Sequence, residues 1–129
     1  MARSASKHPT ELELEILKVV WQIEPATVRQ VRDALAVVRD LAYTTVMTVM
    51  SIMAGKGYLK RQKDGRSYVY EAVYREQKTS RNILQDVIDR VFGGSTTAVM
   101  QHLLETSGID DEELKQIRLL INRKTRERK

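Results

Sequence analysis

The pair Asp64-Gly65, set between Tyr58-Leu59-Lys60-Arg61-Gln62-Lys63 and Arg66-Ser67-Tyr68-Val69-Tyr70-Glu71-Ala72, constrains this chain more than any other feature. A tight turn needs residues that tolerate positive φ, so an Asp-Gly pair between two extended segments predicts a β-hairpin. Three helical patterns precede it. Helix, helix, helix, hairpin is the order of a winged helix-turn-helix.

The first helix is signalled by Thr10 and Glu13, a capping box in which hydroxyl and carboxylate each satisfy a backbone amide. Leu14, Ile16, Leu17, Val20 and Trp21 follow at helical spacing until Pro25 stops the run. Thr27 with Gln30 repeats the capping signature, and Val28, Val31 and Leu35 carry a second helix to about Val37. Arg39 and Asp40 belong to a connection. A third helix is expected from Thr44 to about Lys56, where Gly55 and Gly57 offer a left-handed cap. Its β-branched content favours a strand, but Val46, Val49, Met50 and Met53 follow the i, i+3, i+4, i+7 rule of a helix.

Beyond Tyr74 the pattern becomes all-helical. Ile83, Leu84, Val87, Ile88 and Val91 form a stripe ending at Gly93-Gly94, and Ser95 caps a helix with Val99, Met100, Leu103 and Leu104. Asp110 and Glu113 form a capping box for a last helix with Leu114, Ile117, Leu120 and Ile121. Three amphipathic helices of this length bury too little apolar surface to stand alone, so a partner is implied, most simply a second copy. The expected organisation is a disordered N-terminus (1–8), a winged-helix domain (9–73), a helical dimerisation domain (74–122) and a basic tail (123–129). The fold class is mostly α with a small β-hairpin wing.

Several function classes are excluded or disfavoured. The chain has no cysteine, and its two histidines, His8 and His102, lie far apart, so no metal site and no cofactor are expected. No apolar run approaches the ~18 residues of a membrane span and no signal core precedes the first helix, which reads as a soluble, cytoplasmic protein without direct membrane association. No glycine-rich phosphate loop or nucleophile motif is present, and Asp110-Asp111-Glu112-Glu113 is what a helix dipole favours in a first turn. An enzyme is not expected. Tyr58, Tyr68 and Tyr70 read as hairpin packing rather than a base-stacking platform.

The net charge of +5 says less than its placement. Lys56, Lys60, Arg61, Lys63 and Arg66 face only Asp64 in one short stretch, and a second basic run begins at Arg123. With Val46, Val49, Met50 and Met53 turned inward, Thr44, Met47, Thr48 and Ser51 fall on the outer stripe of the third helix, flanked by Thr45. Short hydroxyls can reach phosphates and base edges in a major groove, and Met47 can touch a thymine methyl. An uncharged outer face also suits packing against another protein, and a winged helix can serve as a protein-interaction module that does not bind DNA. Beside that face, Arg61, Lys63 and Arg66 on a protruding turn would lie along the phosphate backbone, with Arg29 on a phosphate flanking the groove.

The segment Arg39-Asp40-Leu41-Ala42-Tyr43-Thr44-Thr45-Val46-Met47-Thr48-Val49, followed by Gly57-Tyr58-Leu59 and the basic hairpin, resembles the penicillinase repressor family (BlaI/MecI type). Thr10-Glu11-Leu12-Glu13 with Ile16-Leu17 and Trp21, Thr27-Val28-Arg29-Gln30-Val31, and Phe92-Gly93-Gly94-Ser95 look like the same pattern, over roughly residues 9 to 122. The resemblance implies a homodimer that represses transcription from a two-fold symmetric, palindromic DNA operator. It also implies relief by a membrane sensor protease that cuts an Asn-Phe bond in the penultimate helix. The matching positions here are Gln101-His102, a departure from that pattern. Related copper-responsive repressors carry a C-terminal cysteine cluster, and its absence argues against copper sensing. Pairing is expected through Ile83, Val87, Val91, Val99, Leu103, Leu114, Ile117, Leu120 and Ile121.

Overall fold

A computed structural model describes residues 8–128. Apart from His8, the N-terminal stretch expected to be disordered lies outside the described residues, as does Lys129. The elements in chain order are α1 (Glu11–Ile23), α2 (Val28–Leu35), α3 (Tyr43–Lys56), β1 (Leu59–Asp64), β2 (Ser67–Ala72), α4 (Glu76–Val91), α5 (Thr96–Thr106) and α6 (Asp111–Glu127). They form two compact units, residues 1–84 and 85–129, so the division falls within α4.

The first unit is the expected winged helix. Thr10 and Thr27 each close a complete capping box, with Glu13 and Gln30 as the reciprocal partners. Each box satisfies two amides that the first turn of a helix leaves orphaned. α1 ends one residue before Glu24-Pro25, and α2 ends at Leu35 rather than near Val37, which is 90% exposed in the turn that follows. Val38 in the same turn is 78% exposed, so little burial rewards another helical turn. α3 is helical despite its β-branched residues because Val46, Met50 and Met53 then fall on one stripe, and all three are buried. Gly57 ends it at φ 88, a left-handed conformation that costs a side-chain-bearing residue about 1–2 kcal/mol. Gly55 lies inside the helix and takes no part in the cap.

The core of this unit joins Ile16, Leu17 and Val20 of α1 to Val28, Val31 and Leu35 of α2, the three α3 residues, and Leu59, Tyr70 and Ala72 of the hairpin. Ala26, between α1 and α2, forms a bridge to Tyr70 through two backbone hydrogen bonds of 3.0 and 2.8 Å. The hairpin therefore gains a third short pairing partner that the sequence pattern did not indicate. Its tight loop is Gly65-Arg66, with Asp64 paired to Ser67, rather than Asp64-Gly65. Gly65 adopts φ 65, and no non-glycine residue has positive φ among the described residues. A turn with left-handed geometry only at its first central position puts the glycine there and leaves Arg66 beside it at the tip.

The three helices beyond the hairpin are built differently. No residue of α4, α5 or α6 is buried. Ser95 caps α5 through the Ala98 amide and Asp110 caps α6 through the Glu113 amide at 2.8 Å, but Glu113 does not reciprocate, so the expected capping box is only half formed. Arg123 to Glu127, expected as part of a loose basic tail, continue α6 as regular helix. Cations near a helix C-terminus are favoured by its dipole, and Lys124 and Arg126 occupy that last turn. No helix among the described residues is long and apolar enough to cross a membrane.

Candidate nucleic-acid interface

Three elements of the first unit converge on one concave surface. A cleft of about 580 Å³ is lined by Thr27, Val28 and Arg29 at the start of α2, by Tyr43, Met47 and Ser51 of α3, and by Arg61, Arg66, Ser67, Tyr68 and Tyr70 of the hairpin. Five of the residues proposed from sequence for DNA contact, Arg29, Met47, Ser51, Arg61 and Arg66, therefore share one cavity wall. Thr44 and Thr48 do not line it. At about 100° per residue they project straight out from α3, opposite Val46 and Met50, while Thr45 lies on the flank away from Met47. All of Thr44, Thr45, Met47, Thr48 and Ser51 are exposed. Ala42 gives α3 no side-chain cap, so the first-turn amides beside Thr44 and Thr45 remain open to an acceptor.

The hairpin sorts its cations by strand parity. Leu59 is buried, so Arg61 and Lys63, two and four residues on, share its face, whereas Lys60 and Gln62 face the other way. Lys60 is neutralised there by Glu71 at 3.6 Å. Lys56, the other end of the basic cluster, is held by Glu13 at 2.8 Å and stands 5.9 Å from the ring centre of Tyr58. Arg32, Arg39, Arg75 and Arg90 likewise have carboxylate partners. Arg29, Arg61, Lys63 and Arg66 have none among the described residues. Lys18 of α1 also lacks one among the described residues but lies by a different groove, with Glu15 and Val38. Arg29, Arg61 and Arg66 line the cleft beside α3, where an uncompensated positive field attracts a polyanion.

Ion pairs away from the cleft fix the scaffold. Glu13 is only 4% exposed, caps α1 through the Thr10 amide at 2.9 Å and grips Lys56, so the C-terminus of α3 is tied to the start of α1. Arg39, in the α2–α3 connection, forks onto Glu11 and Glu15 of α1. At the exit of the unit Glu24 accepts from Arg75 at 2.6 Å and from the Ala72 amide at 2.9 Å, and the Trp21 indole donates to the Tyr74 carbonyl at 2.9 Å. The Arg75 guanidinium holds the Glu24 carboxyl below its usual range, against the opposing effect of burial, and the Ala72 amide adds to the lowering.

Thr27, Val28, Tyr43, Ser67, Tyr68 and Tyr70 line the cleft without having been proposed from sequence for DNA contact, and two of them are large exposed side chains. Tyr43, which opens α3, and Tyr68 of β2 both line the wall and are 43% exposed. Tyr70 is buried and Tyr58 half-buried, and Tyr68, though more exposed, packs across the hairpin against Arg61. A tyrosine alternating with a buried one along a strand was the signal available for Tyr68. Gln101 and His102, the positions matched to a cleavage bond, lie in the middle of α5, both exposed, with His102 edge-on to Phe92 at 5.7 Å.

The penicillinase repressor family model matches residues 9–123. The transcriptional regulator BlaI of Mycobacterium tuberculosis is 35% identical over 105 residues, which is 80% of this chain and 76% of that protein. The methicillin resistance regulatory protein MecI of Staphylococcus aureus is 20% identical over 112 residues, 87% of this chain and 91% of that one.

Proposed function

The chain belongs to the penicillinase repressor family, and from that premise we propose how its residues carry out repression. It is a DNA-binding transcriptional repressor. The observation that carries the mechanism is the gathering of the unpaired Arg29, Arg61 and Arg66 in one cleft with Met47 and Ser51 of the uncharged α3 face, with Lys63 on the same hairpin face as Arg61. In the reading we propose, α3 enters the major groove. Met47, Thr48 and Ser51 meet base edges there, and Thr44 and Thr45 meet the adjacent backbone. The hairpin tip and Arg29 lie on phosphates to either side, giving affinity without sequence information. No catalytic step is needed for such an activity, which would be exercised where the DNA is, in the cytoplasm.

Pairing is the second part of the proposal. Leu84, Val87, Val91, Leu103, Leu114, Leu120 and Ile121 are each at least 38% exposed, and Met100, Leu104, Leu114, Ile117 and Ile121 line a groove of about 220 Å³. Apolar stripes so uncovered on all three helices support a self-complementary interface between two copies, as a two-fold symmetric operator requires. Relief by a membrane sensor protease is the third part. A protease needs an extended substrate, so cutting near Gln101-His102 would require α5 to open locally, and the exposure of both residues supports access.

Binding of the protein to a site selected from random duplex DNA, followed across salt concentration, tests the division of labour. Lys63→Ala and Arg66→Ala should each weaken selected and random DNA alike and lower the slope of log affinity against log salt by about one. A changed sequence preference in either variant would mean that the hairpin reads bases.

A further inference from the structure

In the hairpin, Arg61 pairs directly with Tyr70 and Lys63 with Tyr68, so Tyr68 is the diagonal neighbour of Arg61 on the same face. The Arg61 guanidinium carbon stands 4.7 Å from the centroid of the Tyr68 ring. Inward movement of Arg61 is closed off by Tyr70, which is 2% exposed, and no carboxylate holds the guanidinium among the described residues. The aromatic face is thus the contact that orients an otherwise free cation, and both side chains line the cleft beside Met47 and Ser51.

We infer that Tyr68 is a positioning residue for DNA binding, which acts by stacking on Arg61 and presenting its guanidinium to a backbone phosphate at the rim of the α3 groove. The inference rests on the DNA-binding reading above and extends it to a residue that acts through a neighbouring side chain. An arginine on a protruding hairpin must give up rotamer freedom when it engages a phosphate. A flat aromatic partner removes part of that freedom beforehand, and it leaves the edge N–H donors of the guanidinium pointing outward, because stacking uses only the face. The phenol hydroxyl has no part in this, so the π face alone should be required.

The test is a double-mutant cycle read by DNA affinity and its salt slope, using the full chain and its selected site. Arg61→Ala should weaken binding and lower the slope by about one. Tyr68→Leu, which keeps an apolar side chain but removes the π face, should weaken binding about two- to five-fold. Tyr68→Phe should bind as the unmodified protein does. In the Arg61→Ala background, Tyr68→Leu should change nothing further. Tyr68→Phe as damaging as Tyr68→Leu would overturn the inference, since the hydroxyl would then be the working group. So would an equal loss from Tyr68→Leu with and without Arg61, or an Arg61→Ala protein that binds normally. Should Tyr68→Leu fold poorly, the phenylalanine variant and the Arg61→Ala slope still decide it. An unmodified protein whose binding did not depend on salt would instead contradict the DNA-binding mode itself.

Discussion

A single buried carboxylate ties α3 to its scaffold. Glu13 completes the α1 capping box and also holds Lys56 at the end of α3, so one buried side chain links two elements. Glu13→Ala removes both bonds, and it should lower the stability measured by denaturant unfolding by about 1–3 kcal/mol, the range for a lost cap and an unsatisfied buried partner. Glu24 works differently. Its carboxyl is held below the usual range by Arg75, so the folded state favours the ionised form and the unfolded state binds the proton more readily. That stabilisation is present above the ordinary carboxylate value of 4.5 and is lost as pH falls from there through the lowered folded value. Thermal unfolding between neutral and acidic pH should show it, with Glu24→Gln less stable at neutral pH and flatter across the acid range. A variant whose stability fell as steeply with acid as the unmodified protein's would remove Glu24 from that account.

Among the elements, the proposed mode gives reading to α3 and holding to the hairpin. Met47→Ala or Thr48→Val should alter which sequences are selected from random DNA, with a cost of about 1–3 kcal/mol at the affected base pair and little change in salt slope. Unaltered selection by both variants would take the reading role from this face. Much of this was legible in sequence, because the caps at Thr10 and Thr27 and the spacing of Val46, Met50 and Met53 are local signals of hydrogen bonding and burial. The hairpin was legible in kind but not in register. A loop centred on Asp64-Gly65 would pair Arg61 with Tyr68, whereas the Gly65-Arg66 loop pairs it with Tyr70. That slip moves partners by two residues, so each residue keeps its face but changes its neighbour. Which cations are free was not legible either. Lys56 and Lys60 find Glu13 and Glu71 only once the chain is folded, and composition alone counts them with Arg61, Lys63 and Arg66.

For the molecule as a whole, the core and the stripes of exposed apolar residues lie in different units. All the buried hydrophobic residues belong to the winged helix, while α5 and α6 leave Leu103, Leu104, Leu114, Leu119, Leu120 and Ile121 between 38% and 59% exposed. In the proposed dimer such a unit would gain burial from the second copy, and pairing would join two modest half-site contacts into one strong contact, because the second module would reach DNA at high effective concentration. The most direct measurement compares affinity for a full palindrome with affinity for one half-site, in the unmodified protein and in the double variant Ile117→Asp with Leu120→Asp. Two carboxylates in the proposed interface would lose hydration without gaining partners. The variant should sediment as a monomer, keep a folded winged helix and bind the palindrome little better than the half-site, while the unmodified protein prefers the palindrome strongly. A variant that stayed dimeric with unchanged preference for the palindrome would contradict the account.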